Sequence, residues 1–219
     1  MRSYEIRRAG GAVPLGGAIE GTPWAQAAAL EIAEFPWYAA GAKQATTVRL
    51  LWDDAALYVQ FVCEDRHIFA QVTERNGPVC EDSCVELFAM PQPDRQANYF
   101  NLELNCCGVF LLGWGPGRGG RRRVTHELAQ RFQVATSVPG PTKAEAEDDD
   151  GWWAAAALPF EVLGAFTSLR LAPAAGDVWR ANLYRCGGAT EPQFACWNPI
   201  EAAQPDFHRP EYFGELRFV

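Results

Sequence analysis

Hydrogen-bonding side chains recur at every second position in the stretch NYFNLELN, where Tyr99, Asn101, Glu103 and Asn105 alternate with Phe100, Leu102 and Leu104. A second carboxylate, Glu86, lies in the preceding apolar run CVELF, behind the acidic pair Glu81 and Asp82. Strand side chains alternate faces, so the polar set shares one side of its strand and the apolar set the other. Two carboxylates on neighbouring strands can accept hydrogen bonds beside the Asn amides, or work as an acid–base pair. Cationic donors are available in Arg75, Arg185, His208 and Arg209, and flat apolar faces in Trp197 and Phe207. The competing reading is an ordinary half-solvated antiparallel sheet.

Metal and haem chemistry find weaker support. Cys80 and Cys84, four residues apart, with the adjacent Cys106 and Cys107, do not match a zinc-finger spacing, and their strand parities disagree. Buried reduced thiols are the better expectation. Three His (His67, His126, His208) and two Met (Met1, Met90) contain no conspicuous axial-ligand pair for haem.

These residues need strands to position them, and the chain supplies many. Residues 80–108 read as two strands and their connection. The clearest hairpin runs over 46–52 and 57–64, with Asp53 and Asp54 in its turn. Further strands are expected at 4–7, 109–114, 131–138, 152–158, 178–186 and 216–219. A short helix is expected at 24–33 and a proline-initiated helical turn at 159–163. The glycine-rich segment 115–123, with Arg121, Arg122 and Arg123, reads as a flexible solvated tongue, and 139–151 as an acidic loop. About ten short strands with little helix predict an all-β, single-domain antiparallel β-sandwich over residues 1–219, with one or two short helices. No repeat or linker divides the chain.

The 219 residues carry a net charge of −8, which argues against a nucleic-acid backbone binder. No window approaches the apolar length of a membrane span. The N-terminal charges lack an apolar run behind them, and the seven cysteines are odd in number. Together these predict a cytoplasmic protein with reduced thiols and no membrane partner.

Five segments occur in a telling order: RLLWDDAALYVQFVCED, PVCEDSCVELF, NYFNLELNCCG, ANLYRCGG and PDFHRPEYFGELRF. In this order they resemble the family-9 carbohydrate-binding modules, more closely their stand-alone relatives. The resemblance covers nearly the whole chain. It implies a jelly-roll sandwich that binds a mono- or oligosaccharide in a slot between aromatic rings. It places one slot ring, a tryptophan in characterised modules, at Cys80, and the other at about Phe207. It places the hydroxyl-bonding carboxylate at Glu86 and a basic residue at about Glu103. The expected ligand-binding set is therefore Arg75, Glu86, Asn101, Glu103, Asn105, Arg185, Trp197, Phe207, His208 and Arg209, with no catalytic residue. The resemblance also implies a structural calcium, for which Asp53, Asp54, Asp65 and Asp148 to Asp150 offer hard oxygen ligands without an EF-hand loop.

Association with glycan-processing enzymes is a further expectation. Two alternatives remain open: a glycan-processing enzyme using Glu86 and Glu103, and an interaction module that has lost its aromatic slot at Cys80. Arg209 and Glu211 can equally form an ion pair that anchors the last strand.

Overall fold

A computed structural model of the chain describes every residue except Lys143 and Glu147, which both lie in the acidic loop at 139–151. The chain opens with β1 (Ser3–Arg8), a single 3-10 turn (Pro23–Gln26) and the two-residue β2 (Leu30–Glu31). The helix expected at 24–33 thus shrinks to one turn. Trp24 explains this: it is fully buried against Leu51, and its indole N–H donates to the Pro14 carbonyl at 2.8 Å. One turn suffices to seat that ring, and pairing with the next strand then extends the backbone.

β3 (Thr46–Trp52) and β4 (Ala56–Glu64) form the expected hairpin. Its turn is held by Asp53, whose Oδ1 accepts the Ala55 and Ala56 amides at 2.8 Å each. Then come β5 (Cys84–Met90), β6 (Tyr99–Asn105), β7 (Phe110–Gly115) and the short β8 (Arg122–Arg123). A helical turn that the sequence pattern did not announce, α1 (His126–Ala129), precedes β9 (Gln133–Thr136) and β10 (Gly151–Pro159). The proline-initiated helix α2 (Phe160–Thr167) is longer than expected, and β11 (Val178–Gly187), β12 (Gln193–Cys196) and β13 (Gly214–Phe218) complete the chain.

The strands make an all-β sandwich. One sheet runs β8-β7-β6-β5-β11-β13-β1 with β12 added to β11; the other runs β1-β3-β4-β10-β9 with β2 added to β3. β1 belongs to both. Its first four residues pair in parallel with β13 and its last two in parallel with β3, whereas the other pairings are antiparallel. The apolar parity of each strand faces inward. Val85, Leu87, Phe100, Leu102 and Leu104 meet Val48, Leu50, Val59 and Phe61 in one buried cluster. Each such side chain contributes about 1.5–3 kcal/mol on burial.

The opposite face of the first sheet is not solvated. Every residue of β5 and of β6 is buried. A second apolar cluster, including Phe88, Tyr99, Tyr184, Cys186, Phe207 and Phe213, lies on that face beneath the loops at 71–82 and 198–213. The polar row of β6 is therefore enclosed, and the reading of an ordinary wet sheet face does not hold.

Candidate functional site

The antiparallel register sets Glu86 of β5 directly opposite Glu103 of β6, with Tyr184 of β11 on the other flank of Glu86. Both carboxylates line a cavity of about 190 Å³. Its other walls are Cys80, Phe88, Arg118, Cys186, Phe194 and the loop Pro205 to His208. Glu86 is only 2% exposed and Glu103 only 7%.

Their surroundings differ. Asn101 donates to Glu103 Oε1 at 2.7 Å, and Asn101 Oδ1 in turn accepts from Arg121 Nε at 2.8 Å. Burial raises the Glu103 carboxyl, while Asn101 and the nearby arginines pull it back. Among the described residues, Glu86 accepts only the Cys186 thiol, at 3.0 Å from Oε1, and its buried Oε2 has no partner. Burial, then Cys186 and Glu103, raise the Glu86 carboxyl well above the usual carboxylate range. Glu86 is therefore the member that holds a proton more readily and Glu103 the more readily ionised one, an asymmetry suited to a donor beside an acceptor.

The roof is made by the loop before β13. Phe207 lies flat on Tyr184, ring centroids 4.1 Å apart at 10°, and the Tyr184 hydroxyl donates to the Phe207 carbonyl at 3.1 Å. His208 packs on Phe88 with centroids 4.9 Å apart, and its Nδ1 is hydrogen-bonded to the Tyr99 hydroxyl at 2.7 Å. Burial, with Arg121 and Arg118 nearby, lowers His208 to about 3, so it is neutral over the physiological range. Asp206 accepts Arg118 at 2.8 Å, which ties the tongue at 115–123 to the roof.

That tongue is solvated over most of its length, as expected, but it is tied down from within. Arg121 folds back beneath it, donating to Asn101, to the Tyr99 carbonyl at 2.7 Å and to the Gly117 carbonyl at 2.8 Å. Its guanidinium also stacks 4.2 Å from the Tyr99 ring centroid. The glycines let the chain turn tightly enough for one arginine to satisfy several carbonyls.

Of the residues singled out from the sequence, Glu86, Glu103, Phe207 and His208 meet at the cavity, and Asn101 supports Glu103 from behind. The others lie elsewhere. Asn105 is structural: it donates to Asp82 at 2.8 Å and to the Val72 carbonyl at 3.1 Å, pinning the loop that carries Cys80. Arg185 points into the inter-sheet core, paired with Asp65 at 2.5 Å and set over Trp152. Trp197 is buried in that same core. Arg75 is exposed and rests on Phe110, with His126 beside it. Arg209 pairs with Glu211 at 2.7 Å, the anchoring ion pair that competed with a ligand role.

Arg118, Asp206, Phe194 and Cys186 were missed. Phe194 is 37% exposed and sits opposite Cys186 on β12. The alternation in QFAC, next to the strand of Cys186, was the available signal. Gly187 shows how closely the turn bearing Cys80 approaches β11. At φ +78°, a Cβ there would stand 1.7 Å from the Asp82 carbonyl oxygen.

The calcium candidates do not assemble a site. Asp53 holds the hairpin turn, Asp54 pairs with Arg8, and Asp65 is consumed by Arg185, Ser83 and Trp152. Asp149 caps the Ile68 and Ala146 amides. It shares an open cleft with Glu64, Glu145 and Asp150, but also with Lys43 and Arg66. Among the described residues these carboxylates do not converge within coordinating distance of one another.

The sequence profile of carbohydrate-binding family 9 matches residues 23–218. The chain belongs to this family. No curated protein matches it in sequence. Among solved structures, it is similar to a protein of Bacteroides uniformis ATCC 8492 assigned provisionally to carbohydrate binding, at a TM-score of 0.88 and 24% identity, covering 100% of this chain and 99% of that one. It is also similar to a family-9 module from Caldicellulosiruptor kristjanssonii in complex with cellotriose, at a TM-score of 0.65 and 16% identity over 99% and 93% of the two chains. A family-9 module of the same organism in complex with glucose gives a TM-score of 0.62 and 17% identity over 98% and 95%. At these identities the likeness establishes the family-9 fold, and the site has to be argued from its own residues.

Proposed function

We propose that this family-9 protein binds carbohydrate without transforming it, taking one sugar ring, free or at the end of an oligosaccharide, into the cavity over Glu86 and Glu103. The observation that carries this reading is the cross-strand Glu86 and Glu103 pair at the floor of a small closed-backed cavity. A pyranose needs donors and acceptors around its rim and apolar surface for its C–H faces. Protonated Glu86, ionised Glu103 and Arg118 meet the first need; Phe194, Phe207 and Phe88 meet the second. The volume falls below the range of about 300–1,000 Å³ typical of larger ligands, which favours a single ring.

Catalysis is disfavoured by the same register. Glycoside hydrolysis needs two carboxylates flanking the scissile bond, about 5–5.5 or 6.5–9.5 Å apart. Cross-strand neighbours share one wall and approach an occupant from the same side. A place beside glycan-processing enzymes follows for a module that binds and does not cut.

The ligand-free alternative draws on Cys80, where the resembled slot has a ring, and on Tyr184, which covers one face of Phe207. Calorimetry against a panel of monosaccharides, their uronic and amino derivatives and short oligosaccharides decides between them. Saturable binding to at least one of them, abolished by Glu103→Gln in a folded protein, is expected. No heat at millimolar ligand across the panel would leave the interaction-module reading.

A further inference from the structure

The floor of the cavity holds a second kind of chemistry. Cys84 and Cys186 are directly opposed on β5 and β11, and Glu86 follows Cys84 by two residues on the same face. One ligand atom from each, two Sγ and a carboxylate oxygen, all lie within 4.8 Å of one another, and all three residues are buried. Cys80 is on the wall of the same cavity.

We propose that Cys84, Cys186 and the Glu86 carboxylate form a thiolate-rich site for a divalent metal ion, zinc by its donor chemistry, with Cys80, from the cavity wall, completing the fourth position. Tetrahedral zinc holds sulfur at about 2.3 Å and carboxylate oxygen at about 2.0–2.2 Å, which sets ligand atoms under 4 Å apart. The three clustered ligand atoms, within 4.8 Å of one another, must draw closer to reach this, and Cys80, on the cavity wall outside that cluster, must swing towards them. Two or three sulfurs with one oxygen select zinc over calcium or magnesium, which want oxygen alone.

An independent observation points to a missing partner. Glu86 Oε2 is buried with nothing bonded to it among the described residues, a state that ordinarily costs about 1–3 kcal/mol. A cation held by the Glu86 carboxylate would ionise it and give the orphaned oxygen a partner. The exchange of protons is explicit. The metal-binding forms are the thiolates and the carboxylate, whereas the free side chains carry protons. Uptake of one cation therefore expels the thiol protons and that of Glu86 to solvent, and affinity rises with pH. Arg118, on the same cavity, offsets part of the remaining negative charge.

The site stands whether or not a sugar binds, and its test uses none. The reduced full chain is titrated with Co²⁺ and then Zn²⁺ at neutral pH and above, and retained zinc is measured after gel filtration. One equivalent is expected, with thiolate-to-cobalt charge-transfer bands and tetrahedral visible bands that zinc abolishes. Cys84→Ser, Cys186→Ser and Glu86→Gln should each weaken affinity by about tenfold to hundredfold, as should Cys80→Ser. Cys196→Ser, at a buried free cysteine outside the cluster, should not. Near-ultraviolet dichroism checks the fold of each variant, and Glu86→Gln keeps the test open should a core serine unfold the protein. No retained zinc in the wild type, cobalt spectra without charge transfer, or equal affinity in the Glu86, Cys84 and Cys186 variants would overturn the proposal. Equal affinity in Cys80→Ser would overturn the fourth ligand.

Discussion

Glu86 and Glu103 face each other across β5 and β6 in unlike company: Asn101 donates to Glu103, while Glu86 has a thiol on one oxygen and nothing on the other. The difference separates their protonation, and stability follows from it. Glu86 is raised in the fold relative to the unfolded chain. A raised carboxyl contributes stability that is whole below the unfolded value of about 4.3 and is lost as pH rises through the folded value. Glu86→Gln should therefore melt higher than wild type at about pH 8, with the gap closing towards about pH 4. Thermal melts across that range check it, and a pH-independent gap would contradict the assignment.

His208 works in the opposite direction. Its folded value of about 3 lies below the unfolded value near 6.5, so its contribution is whole above about 6.5 and is lost as pH falls towards 3. His208→Asn should lose acid sensitivity in that window. Denaturant midpoints of both proteins at about pH 7 and pH 4 measure the difference.

Phe194 touches the cavity while remaining partly in solvent, so its loss should cost binding and not stability. Phe194→Ala is expected to weaken the sugar found by the panel by about fivefold to tenfold, near 1 kcal/mol, with an unchanged melting temperature.

Arg121 is the tongue's single anchor to β6. Arg121→Lys retains charge but cannot reproduce the planar fork that reaches Asn101 and the backbone carbonyls together. A loss of about 2–4 kcal/mol is expected from urea unfolding, with faster proteolysis within 115–123. An unaffected tongue would show that the glycines alone shape it.

Gly187 permits the contact between the Cys80 turn and β11. Gly187→Ala meets both a left-handed backbone and the Asp82 carbonyl, and should displace that turn. The measurable result is a loss of at least about 1–2 kcal/mol together with weaker ligand binding.

The sandwich was legible because alternation in stretches such as YFNLELN and WRANLYRC survives in the observed faces. The hairpin at 46–64 and its Asp53 turn were equally plain. Alternation cannot report what lies above a face, however, and so Asn105 reads like Glu86 although it pins a loop; Arg185, by contrast, shares the parity of the core residues Trp179, Ala181 and Leu183, a signal that its charge obscured. Roof residues such as Asp206 and Arg118 come together only through loops far apart in sequence, with no periodicity to betray them. Trp24 misled for a related reason: its spacing to Ala28 and Ile32 fits a helix, but its burial against Leu51 needs only one turn.

The shared strand β1 sets an order of events during synthesis. Its partner β13 comes last among the strands of this sandwich, while its other partner, β3, comes early. Until β13 arrives, the exposed flank of β1 is an unpaired template for other nascent chains. Pairing with β13 removes that template from β1.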